Sequence, residues 1–112
     1  MNTKQILLAA KCFIYATDKL PVKLRQTELY ILIELCLKPD CKCARRQIQN
    51  AVPRHETSIS HCLTSLSAVG FIDISDDTYV KLTKAGQCVV SNLVAAAVAT
   101  FHTNLPAMRD CN

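Results

Sequence analysis

The sequence predicts a mainly α-helical chain carrying one small β-hairpin. Three observations lead there. Apolar residues recur at three- and four-residue spacing along most of the chain. Only two glycines occur among 112 residues, too few for a loop-rich all-β fold or a phosphate-cradling loop. A single stretch, Phe71 to Ser75, alternates with a period of two; an Asp76–Asp77 turn and a returning strand, Tyr79 to Leu82, follow it.

The elements follow in order. Ile6, Leu7, Ala10, Phe13, Ile14 and Thr17 mark one face of a first helix over 3–19, which Pro21 stops. A basic linker with Lys23 and Arg25 leads to a second helix over 26–38, with Leu29, Leu32, Ile33 and Cys36 on one stripe and Pro39–Asp40 as a turn. Asp40 is the expected N-cap of a brief third helix, opened by Lys42, Arg45 and Arg46, turned inward at Ala44, Ile48 and Ala51, and closed by Pro53. A fourth helix over 56–69 has Ile59, Cys62, Leu63, Leu66 and Val69 inward and Gly70 as its stop. After the hairpin, a helix over 84–104 carries Val90, Leu93, Val94, Ala97, Val98 and Phe101 on a stripe widened by alanines. That is more apolar surface than so small a domain can cover, so a second subunit is expected to cover it. The chain is thus expected to form one domain over 1–112, with a core at 24–86 and dimerisation helices at 3–19 and 84–104.

Charge and cysteine content narrow the class. The net charge of +4 falls mostly before Gly70, which permits nucleic-acid binding without demanding it. The apolar run Ile6–Ala10 ends at Lys11, too short for a signal-peptide core or a bilayer span, so a cytoplasmic location without membrane association is expected. Seven cysteines, an odd number falling mostly at core positions, read as reduced thiols. Cys41 and Cys43 form a Cys-x-Cys pair that suits a redox or soft-metal sensor. Lys42 and the helix start would lower the pKa of either thiol, and neither is needed for the main apolar stripes. No second pair stands at zinc-site spacing, so no metal is expected. His55, His61 and His102 have no ligand-type spacing. Serine-hydrolase and dinucleotide signatures are missing as well, so neither catalysis nor a cofactor is expected.

Helix, helix, short helix, tight turn, helix, hairpin is the order of a helix-turn-helix followed by a wing, a geometry in which the fourth helix enters the major groove of double-stranded DNA. The outward residues of that helix suit the task. Thr57, Ser58, Ser60, His61, Thr64, Ser65 and Ser67 are short hydrogen-bonding groups, and no carboxylate lies between Glu56 and Asp73. Lys42, Arg45, Arg46, Arg54 and His55 flank this face and suit phosphate contacts. Alternatively, the same face or the acidic wing would bind a protein.

The run from Thr57 to Ile72 resembles the recognition helix and first wing strand of MarR-type winged-helix regulators, and Val80-Lys81-Leu82-Thr83-Lys84-Ala85-Gly86 resembles their post-wing motif. Leu24-Arg25-Gln26-Thr27-Glu28 sits where that family begins its second helix, so the resemblance covers residues 24–90. It implies a homodimer joined through the N- and C-terminal helices, with two recognition helices reading half-sites of a roughly palindromic operator, and the function expected is that of a transcriptional regulator, a repressor or a local activator. The chain departs from the pattern at the wing tip, where Ser75-Asp76-Asp77-Thr78 replaces the family's frequent arginine, and at His61, where a basic residue is common.

Overall fold

The structure is a computed structural model that describes the backbone of residues 2–110 and the side chains of residues 2–104; Cys111 lies outside the described residues. Its elements are α1 (Thr3–Asp18), α2 (Gln26–Cys36), a 3-10 turn (Pro39–Cys41), β1 (Lys42–Ala44), α3 (Arg45–Ala51), α4 (Glu56–Ala68), β2 (Ile72–Asp73), β3 (Tyr79–Leu82) and α5 (Lys84–Asp110). They divide between two compact units. One spans 24–90; the other joins residues 1–23 to 91–112.

In the 24–90 unit, α2, α3 and α4 pack with an antiparallel sheet of order β1-β3-β2. Ile31, Leu32, Leu35, Ile48, Ile59 and Leu66 are fully enclosed, and Val80 joins them from β3. Removing each such side chain from water contributes about 1.5–3 kcal/mol. Local hydrogen bonds set the helix ends. Arg25 N–H donates to Glu28 Oε1 at 2.8 Å, which explains why a carboxylate is buried at the start of α2. Gly70, at φ +83°, ends α4 in the left-handed conformation, and Phe71 N–H reaches back to Leu66 O at 3.0 Å.

Three expectations about this unit are corrected. Asp40 caps no helix: at φ +59° it turns the chain inside the 3-10 segment, and Ala44 precedes α3 instead. The hairpin has a third strand, β1, so Lys42 lies on a strand and not on a helix. A three-residue strand has too few positions to show a periodicity. Val69 is exposed because it already belongs to the turn that closes α4, while Phe71 and Ile72 are both buried where the chain enters the sheet.

The second unit contains α1 and the later part of α5. Asn2 caps α1, its Oδ1 accepting Gln5 N–H at 2.8 Å. The buried residues of α1 are Cys12 and Ala16, whereas Ile6, Leu7 and Ile14, on the predicted apolar face, are more than half exposed. On α5, Val94 and Val98 are also exposed, but Leu93 is already enclosed within the chain. Ala9, Phe13, Val94, Ala97, Val98, Phe101 and His102 line an apolar groove of about 330 Å³. Lys84–Asn104 has a mean hydropathy of 1.3 and is long and apolar enough, by length and composition alone, to cross a bilayer. Gln87, Ser91, Asn92 and Thr103 interrupt it on its exposed side.

Candidate nucleic-acid interface

The face of α4 opposite its buried residues is polar from Thr57 to Ser65; Ser67 is half-buried, and the exposed residue after it is Ala68. Ile59, Cys62, Leu63 and Leu66 point into the core, which leaves Thr57, Ser58, Ser60, His61, Thr64 and Ser65 exposed. Ser58, His61 and Ser65 stand at i, i+3 and i+7 and share one stripe. Thr64 donates its hydroxyl proton to Ser60 O at 3.0 Å, so its oxygen is left to accept from a ligand. Glu56, in the first turn, accepts a long contact of 3.5 Å from Gln49 Nε2 on α3.

His55 caps α4. Thr57 N–H donates to its Nδ1 at 3.2 Å, so in the neutral ring the proton sits on Nε2, an outward donor beside the helix start. Arg54 is exposed in the α3–α4 turn, and its Nη1 donates to Pro53 O at 2.8 Å. The remaining donors of its guanidinium are available to an anion.

The α3 cations are not equivalent. Arg46 is exposed, whereas Arg45 is half-buried; its backbone N–H donates to Thr78 O of the wing at 2.9 Å, and its Nε is enclosed without a hydrogen-bond partner. Lys42 lies in the sheet, with its ammonium 4.7 Å above the Tyr79 ring and paired by register with Lys81. Arg54 and His55 therefore stand beside the start of α4, Arg45 and Arg46 open α3 next to the wing, and Lys42 lies in the wing sheet. No sequence period could have shown that Lys42 is diverted to the wing.

The wing carries the opposite charge. Asp73 Oδ1 accepts Ser75 N–H at 2.9 Å, and Asp76 Oδ1 accepts Thr78 N–H at 2.7 Å and Tyr79 N–H at 3.1 Å. Hydrogen bonds from the Ser75 hydroxyl and then its backbone N–H hold the Asp73 carboxyl below the usual carboxylate range, and those from Thr78 and Tyr79 N–H do the same for Asp76, so both are ionised at neutral pH.

The thiols are distributed differently from the sequence expectation. Cys43 is buried against the core, and burial pushes its thiol up; the charge of Lys38 opposes this and is the smaller effect. It is therefore not the activated thiol that its neighbour Lys42 suggested. Serine there would place a hydroxyl in the core, so Cys43 matters for packing after all. Cys41 is half-buried in the 3-10 turn beside Cys36, whose thiol is likewise raised by burial. Among the described residues, no three His, Cys, Asp or Glu side chains gather as a metal site.

A helix-turn-helix, α3 to α4, followed by a β wing defines a winged-helix protein, and within that class the fold is MarR-like. No family model and no curated protein matches the sequence. Solved structures match the fold. One is a MarR family transcriptional regulator from Streptomyces coelicolor in complex with DNA, at TM-score 0.65 and 14% identity over 89% of this chain. This chain spans 66% of that regulator's length. A second MarR family regulator from the same organism, AbsC, matches at TM-score 0.66 and 13% identity over 94% of this chain and 76% of its own. BpsR of Bordetella bronchiseptica, whose DNA binding is regulated by 6-hydroxynicotinic acid, matches at TM-score 0.59 and 17% identity over 91% of this chain and 78% of its own.

Proposed function

We propose that the protein is a sequence-specific, DNA-binding transcriptional regulator that acts as a homodimer on a roughly palindromic operator, as a repressor in the cytoplasm. The observation that carries this reading is the exposed α4 face. It is rich in hydroxyls, contains His61 and carries no carboxylate after Glu56 in its first turn, and it stands where a winged helix presents its groove-reading helix. Ser58, His61 and Ser65 touch base edges, while Arg45, Arg46, Arg54 and His55 hold phosphates; Thr57, Ser60 and Thr64 flank the reading stripe. That structures of this fold include a regulator solved with DNA supports the same reading.

Dimerisation follows from the apolar side chains that a single chain leaves in water. Ile6, Leu7, Ile14, Val94 and Val98 form the surface that a second copy covers. A bilayer is the competing occupant, given the hydropathy of α5. Sedimentation of detergent-free protein separates them: a discrete dimer supports the homodimer, and recovery only in detergent supports the membrane.

The decisive experiment is a mobility-shift titration against DNA upstream of the protein's own gene, with random duplex as competitor. Retention of one fragment under excess competitor, with affinity falling steeply between about 50 and 200 mM salt, is the expected result. If α4 or the wing instead docks a protein through apolar contact, no fragment is retained.

A further inference from the structure

We propose that the wing is an electrostatic brake on DNA binding: the carboxylates of Asp76 and Asp77, at the wing tip beside the start of α3, oppose the phosphate backbone and confine DNA contact to α4 and the neighbouring arginines. This rests on the DNA-binding reading above.

The placement comes from the sheet. Register aligns Lys42, Lys81 and Asp73 in one row across β1, β3 and β2, while Cys43 and Val80 pair on the core side. Both wing lysines therefore stand among wing carboxylates, and Lys42 also covers Tyr79. The tip residues 75–78 include Asp76 and Asp77 and no cation, and Lys42 is the cation that reaches Asp76. The hydrogen bond from Arg45 N–H to Thr78 O places this tip at the N-terminal end of α3, next to Arg45 and Arg46. Phosphates held there by the arginines are brought up to the wing carboxylates.

Sign and size follow from Coulomb's law. One carboxylate and one phosphate at roughly 10 Å in water repel by enough to weaken binding about twofold. Two carboxylates facing several phosphates compound this to about three- to tenfold at low salt. The effect is independent of base sequence and is screened as the Debye length shortens. Nothing in it requires an operator, so a random-sequence duplex is the appropriate probe.

Asp76→Asn with Asp77→Asn is the test, because asparagine keeps the side-chain oxygen that accepts Thr78 and Tyr79 N–H and removes only charge. Anisotropy with a labelled random duplex of about 30 base pairs should show about three- to tenfold tighter binding at ~50 mM salt. The gain should shrink toward none near ~0.5 M, giving a steeper salt slope than wild type. Asp18→Asn with Asp40→Asn changes net charge equally outside the wing hairpin and should gain less than twofold. Equal tightening in that control, or none in the wing variant, overturns the brake. Wild type that binds while the wing variant is unchanged removes the brake and keeps the DNA reading. Wild type that binds no duplex while the wing variant does supports the brake strongly, and failure of both removes the DNA reading itself.

Discussion

Replacing Gly86 with alanine tests how the first turn of α5 packs within the winged unit. A Cβ at this position would lie 2.2 Å from the Phe71 carbonyl oxygen and 2.6 Å from Leu82 Cδ1. Neither neighbour yields easily. The Phe71 oxygen is backbone and already accepts Thr83 N–H at 3.0 Å, and Leu82 is fully enclosed. A normal carbon–oxygen contact is at least about 3.3 Å, so the first turn of α5 must move by about 1 Å. That movement strains the Phe71–Thr83 bond and the contact from Gly86 N–H to Thr83 Oγ1 at 3.1 Å. Overpacking of this kind costs about 1–3 kcal/mol, and weakening two hydrogen bonds adds about 1–2. Alanine's helix propensity returns about 1. The expected net loss is about 1–4 kcal/mol, at its upper end a large share of the 5–15 kcal/mol typical of a domain. Gly70→Ala is the internal control: a Cβ there meets nothing within 4 Å, and only the φ of +83° opposes it, at about 1–2 kcal/mol. Urea unfolding followed by circular dichroism measures both. Gly86→Ala no less stable than Gly70→Ala would refute the close approach and the argument built on it.

Changes at the reading face should separate base contacts from phosphate contacts. His61→Ala is expected to cost about 1–3 kcal/mol on the preferred duplex and little on random DNA, whereas Arg54→Ala should weaken both and make the salt slope shallower by about one unit; titrations at several salt concentrations check this. For dimerisation, Val94→Glu with Val98→Glu should give a folded monomer by sedimentation at micromolar concentration, and a persisting dimer would exclude this face. Leu93→Glu is not a dimer test, since Leu93 is enclosed within the chain and a charge there is expected to unfold it. In a Cys111→Ser background, the exposed Cys88 should react first with a disulfide reagent at pH 8. Cys43 and Cys62, whose thiols burial pushes up, should react only as the protein unfolds; early loss of all the thiols would contradict the packing.

The helices that position the site were legible because their signals are local. Ile59, Cys62, Leu63 and Leu66 recur at helical spacing, and Gly70 supplies the left-handed stop, so the polar face of α4 could be assigned from residue order. The wing turn was equally visible in Asp76–Asp77. Where the sequence misled, the deciding partner lay far along the chain. β1 exists because Lys42, Cys43 and Ala44 pair with residues 79–81, and this long-range pairing is what buries Cys43 and draws Lys42 over Tyr79. Helical spacing likewise identified the apolar residues of α1 and α5 but could not tell which of them their own chain covers. Leu93 and Val94 are adjacent members of one stripe, yet one is enclosed and the other stands half in water. Periodicity gives the face of a helix; burial depends on which surfaces the fold brings against it. The local sequence therefore determined the helices and the polar reading face. Tertiary packing alone decided which cations stay exposed, which thiols are sealed, and which apolar side chains are left in water.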